Sequence, residues 1–112
     1  MKLPNVEQAF VEEGKITGYL LSETHSGGRE KRAFFSSFGF SVAEWEVMAE
    51  ALIHHAQNHE VMREIRTVHG TKYVIEGALV TPDERNPTVR TVWIIDTGKT
   101  AARLVTAYRL RE

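Results

Sequence analysis

The period of the apolar residues changes near residue 60. Before it, apolar side chains recur three and four apart; after it, they alternate. The second half holds four such alternating runs, "VMREIRTV", "TKYVIEGALV", "VRTVWIID" and "RLVTAYRL". They are separated by His69-Gly70, by "TPDERNPT" and by "TGKTA", which carry turn chemistry. None of these connections is long enough for a crossover helix. The four strands are therefore expected as an antiparallel meander.

The first half predicts helices near residues 15–21, 29–38 and 42–57. Ile16, Tyr19 and Leu20 mark the first, which Gly18 weakens. The Gly27-Gly28 pair interrupts the chain before the second, which stops at Gly39. The third opens on a capping box, Ser41 with Glu44, inside a hydrophobic staple of Phe40 and Trp45. Trp45, Met48, Ala49, Leu52, Ile53 and Ala56 form its apolar face. The fold class that follows is α+β, with the N-terminal helices packed on one face of a four-stranded antiparallel sheet. A chain of 112 residues suits a single domain, residues 1–112.

With no cysteine, the chain has no disulfide or thiol chemistry. The N-terminus lacks an apolar signal core and no run approaches a membrane span, so a cytoplasmic protein with no membrane partner is expected. A net charge of -1 excludes a whole-molecule basic field for nucleic acid. The cations are clustered, however: Arg29, Lys31 and Arg32 early, Arg103, Arg109 and Arg111 late. A basic patch forms if the two clusters meet.

Strand alternation divides Val92, Ile94, Val105 and Ala107 from Thr91, Trp93, Thr106 and Tyr108. The first set is assigned to the helix-covered core and the second to the open face. Hydroxyls and aromatics on an open face suit a ligand, but they suit packing under a loop or a partner subunit equally well.

The stretch "ETHSGGREKRAFFSSFGF" draws attention because Lys31 shares a helical stripe with Phe34, Phe35 and Phe38. Either its stem snorkels along apolar surface, or it is placed to bind an anion near a glycine-opened helix start, with Arg29 and His25 nearby in sequence. The phosphate-loop spacing is absent. His55 and His59 stand at a zinc-compatible spacing, but nothing beside them completes a site. The macrodipole explains histidines at a helix C-terminus. No cofactor is implied.

Across nearly its whole length the chain resembles a bacterial family, domain of unknown function 6883. The resemblance is carried by Tyr19, Leu20, Leu21, His25, Gly28, Arg29, Lys31, Phe35 and Phe40. It continues through Gly70, Lys72, Tyr73, Arg90 and Trp93 to "LVTAY" at Leu104 to Tyr108. Ser26 and His69 depart from the family pattern, which has a proline and a tyrosine there. More distantly, the chain looks like the barnase, EndoU, colicin and RelE-like ribonuclease toxins. They too pair N-terminal helices with a four-stranded antiparallel sheet. The resemblance implies a metal-independent ribonuclease working on the open sheet face. His25, Lys31 and Thr106 would be catalytic, and Arg29, Lys72, Arg90, Trp93 and Tyr108 would bind the substrate. RNA would be one partner and a cognate antitoxin or immunity protein another. The rival expectations are a non-catalytic protein-binding module, such as a toxin-neutralising partner, and a small-ligand-binding domain.

Overall fold

The computed structural model describes residues 1–24 and 29–110. A 3-10 turn, Val6–Gln8, precedes α1, Glu13–Lys15, which runs directly into a π-helical turn, Ile16–Leu20. Next come α2, Arg29–Ser37, and α3, Trp45–Asn58. The strands β1, Val61–Thr67, β2, Gly70–Ala78, β3, Thr88–Asp96, and β4, Arg103–Arg109, pair in the order of the chain, each antiparallel to the next. The meander and its helical cover are as the periodicity predicts. Outside it, Phe10 makes one parallel bridge to Arg103 and ties the N-terminal segment to the free edge of β4. Among the described residues no helix is long and apolar enough to cross a membrane.

Gly39 ends the α2 segment with φ +103°, a conformation that favours glycine. α3 begins at Trp45 rather than at residue 42. Ser41 Oγ accepts the Glu44 N–H at 3.3 Å, so the serine caps a turn that leads into the helix. Met48, Ala49, Leu52, His55 and Ala56 of α3 face the sheet and are buried. They pack with Ile16, Leu20 and Phe35 from the other helices and with Tyr73, Ile75, Val89, Trp93, Leu104 and Ala107 from the strands.

The face assignment of β3 is a correction. Thr91 and Trp93 point into the core and are fully buried, whereas Val92 and Ile94 lie on the opposite face. In β4, Thr106 and Tyr108 lie on the open face as expected. Ala107 is in the core as expected, but it shares the core with Leu104, not with Val105. A β-bulge causes this. Val92 pairs with Thr106 and Trp93 with Leu104, so Val105 is the extra residue and side-chain parity inverts across it. The polar ends of Thr91 and Trp93 are satisfied inside the core, because Trp93 Nε1 donates to Thr91 Oγ1 and that hydroxyl bonds His55.

Candidate functional site

The open face carries a cross-strand row made of Glu76 on β2, Arg90 on β3 and Tyr108 on β4. Arg90 forms an ion pair with Glu76 and donates to the Tyr108 hydroxyl at 3.1 Å. The guanidinium also stands 5.6 Å from the Tyr108 ring centroid. One acid, one cation and one phenol thus fix each other's rotamers along the row. The next row holds Arg63, Val74, Val92 and Thr106, and the one after it Ile65, Lys72, Ile94 and Arg103. Arg103 is clamped by both carboxylate oxygens of Asp96, at 2.8 and 3.0 Å.

At the free edge of β4 the helical layer reaches the open face. The π-helical turn closes with Leu21 N–H bonded to the Ile16 carbonyl at 2.8 Å. It buries Ile16 and Leu20 and leaves Tyr19 half-buried at the rim. The Tyr19 hydroxyl bonds Thr106 Oγ1 at 3.2 Å. The ammonium of Lys31 lies 5.5 Å from the Tyr19 ring centroid and 6.0 Å from that of Tyr108. Lys15 stands over Tyr19 from below in sequence, also at 5.5 Å. Burial would raise the Tyr19 phenol. The Thr106 hydroxyl and the Lys31 and Lys15 charges outweigh it, and the net pKa falls below the ordinary 10.0.

The helical stripe of Lys31 therefore brings it to the sheet edge, between two aromatic rings, and Lys31 and Thr106 meet through Tyr19. Tyr108 and Arg90 belong to the same cluster. Arg29 opens α2 two residues before Lys31 and is exposed. Lys72 is half-buried on the open face, two strands away from Thr106. Trp93, expected to bind substrate, is a core residue with no exposure. His25 and Gly28 lie outside the described residues. His55, half of the zinc-spaced pair, is buried on the helical side of the sheet and bonded to Gly77 and Thr91. Among the described residues no group of three His, Asp or Glu side chains is placed to hold a metal.

Sequence reasoning missed two members of the cluster. Tyr19 reads as a core position of a short helix, and only its place in the "YLL" motif marked it. Glu76 became visible as a partner once the β2–β3 register set it opposite Arg90. Beside the cluster, between the π-helical turn and α2, a cleft of about 540 Å³ is lined by Thr17, Ser22, Arg32 and Phe40.

No curated protein matches the chain. One solved structure that does is the contact-dependent growth inhibition toxin–immunity protein complex from Klebsiella pneumoniae 342. A chain of it superposes with a TM-score of 0.70 at 13% identity, over 96% of this chain and 97% of that one. At that identity the likeness is one of fold. The sequence itself matches a family model over residues 2–111, and the chain belongs to that family, a domain of unknown function (DUF6883).

Proposed function

We propose that the domain binds single-stranded RNA at the β4 edge of its open face and cleaves it without a metal, as a toxin-like ribonuclease. The observation that carries this reading is the convergence of Lys31, Thr106, Tyr19 and Tyr108 from three elements far apart in sequence. A cation and a hydroxyl gathered about one tyrosine suit a phosphate. Tyr108, locked by Arg90, offers a ring face to a base. Arg29, Arg90 and Lys72 extend the positive surface on which a backbone would lie. His25 enters on its chemistry, as a group that exchanges a proton near neutral pH. Attack by the RNA 2′-hydroxyl needs no metal-bound water. The similarity in fold to a chain of a toxin–immunity protein complex supports a cognate partner, an antitoxin or immunity protein.

The same similarity favours one alternative. That complex contains an immunity protein as well as a toxin, so a neutralising module that uses this face for protein contact is the second reading. A titration separates them. Wild type and Lys31→Met are titrated with labelled single-stranded RNA in EDTA at two salt concentrations. The ribonuclease reading expects salt-dependent binding and cleavage by wild type. It expects Lys31→Met to lose about 1–3 kcal/mol of binding or transition-state stabilisation at unchanged fold stability. If wild type neither binds nor cuts RNA at low salt, the ribonuclease reading is wrong and the partner-binding module replaces it.

A further inference from the structure

We propose that Tyr19 is the proton donor to the leaving oxygen when this site cleaves RNA, an inference that rests on the ribonuclease reading above. In that reaction the substrate 2′-oxygen attacks phosphorus and its proton passes to the general base of that reading. The bond from phosphorus to the 5′-oxygen breaks. The 5′-oxygen takes the hydroxyl proton of Tyr19, which gives a 2′,3′-cyclic phosphate, a free 5′-hydroxyl and a phenolate that water reprotonates. Every atom and charge is accounted for, with no oxidant or co-reactant.

The reaction needs an acid as well as a base, and only certain groups here can be one. Arg90 cannot release a proton at workable pH. His54 and His55 belong to α3, His59 follows its last residue, and His69 sits in the β1–β2 turn, all away from the β4 edge. Tyr19 carries a transferable proton, bonds Thr106 directly and has the Lys31 ammonium 5.5 Å from its ring centroid.

Its surroundings suit the task. Among the described residues, Lys15 of its own helical segment, Lys31 of α2, Thr106 of β4 and, beyond Lys31, Tyr108 with its Arg90 gather around it. Two ammoniums and a hydroxyl stabilise the phenolate left after donation, and they hold the phenol below its ordinary pKa. The aromatic ring is carried on a π-helical turn, whose extra residue departs from the α-helical ladder. Such turns are frequent at functional sites.

The test uses a leaving group that needs no proton. Wild type and Tyr19→Phe are compared on ordinary RNA and on RNA with sulfur in place of the scissile 5′-oxygen, with thermal melts and binding to uncleavable 2′-deoxy substrate as controls. On ordinary RNA the variant is expected to cleave about 10²–10⁴-fold more slowly. On the 5′-thio RNA its rate should match wild type, and its binding should not change. Thr106→Val, which keeps the ring and its packing, should shift the alkaline limb of the pH–rate profile upward by weakening the phenolate. Cleavage of ordinary RNA by Tyr19→Phe at the wild-type rate overturns the inference and leaves the ribonuclease reading standing. An equal loss on both substrates overturns it as well, and makes Tyr19 a positioning residue. Absence of any cleavage by wild type removes both.

Discussion

The indole Nε1 of Trp93 donates to Oγ1 of Thr91 at 3.0 Å, and both side chains are fully buried. The chain of bonds continues: Thr91 Oγ1 is 3.2 Å from His55 Nδ1, and His55 Nε2 is 3.1 Å from the Gly77 carbonyl. Donors and acceptors match throughout only if His55 is neutral with its proton on Nε2. Trp93 then gives to Thr91, Thr91 gives to Nδ1, and Nε2 gives to Gly77. Burial, with the neighbouring His59 adding to it, holds His55 at about 4.

Acid should therefore loosen the fold through His55. Unfolded, the imidazole takes up a proton near 6.5; folded, it resists until about 4. The stabilisation is complete above 6.5 and is lost as pH falls toward 4, in total on the order of 3 kcal/mol. Urea unfolding followed from neutral pH downward measures it. His55→Gln should be less stable at neutral pH and should show a flatter dependence in this window. An equally steep dependence in that variant would place the acid sensitivity elsewhere. Thr91→Val, which strands the Trp93 N–H and removes the donor to His55, should cost about 1–3 kcal/mol.

Gly77 is a second pressure point. A Cβ there would fall on the His59 imidazole, which is itself held by the bond from His59 Nδ1 to the His55 carbonyl at 2.8 Å. Gly77→Ala should destabilise the domain by about 1–3 kcal/mol, the range for overpacking. In a His59→Ala background most of that penalty should disappear, and a double-mutant cycle reads the coupling directly. A penalty that survives would mean the strand backbone, not the ring, demands glycine.

Ser41→Ala should cost about 0.5–2 kcal/mol. The lower half of that range is expected, because the bond to Glu44 N–H is 3.3 Å long and exposed, and it caps a turn one step ahead of α3. RNA binding and cleavage by the folded variant should equal wild type, since the Ser41 hydroxyl bonds the Glu44 N–H and is not one of the groups that hold Tyr19, Lys31 and Thr106 together.

The meander and its helical cover were legible because short turn-rich connections leave four alternating runs little other choice. Which way β3 faced was not legible. Its residues are apolar or β-branched on both sides, so alternation alone gives two equivalent phases. The bulge at Val105 then breaks parity in β4, and only the register reveals it. Thr91 and Trp93 suggest a ligand face by residue type. His55, 36 positions earlier than Thr91, satisfies them in the core. For the site, the stripe carrying Lys31 was readable, and so was Thr106. Tyr19 was not, because its place in the cluster depends on a contact 87 positions away in sequence.

The tyrosines offer a test of the cluster that needs no substrate. The chain has three, at positions 19, 73 and 108. Tyr19 should ionise below 10.0, since Thr106 and the lysines outweigh its burial. Tyr73 should ionise above 10.0, since burial, then the carboxylate of Glu64, disfavour its phenolate. Ultraviolet titration of the tyrosinate band in wild type, Tyr19→Phe and Tyr73→Phe assigns each step by difference. The low step should vanish in Tyr19→Phe and move upward in Lys31→Met, because removal of the ammonium leaves the phenolate with less support. The two groups also oppose each other in stability. A phenol with a raised pKa loses stabilisation as pH climbs through the unfolded value toward the folded one, whereas Tyr19 gains it over the pH range just below 10. Tyr73→Phe should therefore lessen the loss of stability at alkaline pH, and Tyr19→Phe should deepen it. A Tyr19 step that stays at its ordinary position, or that Lys31→Met leaves unmoved, would show that Lys31 and Thr106 do not act on the phenol in solution.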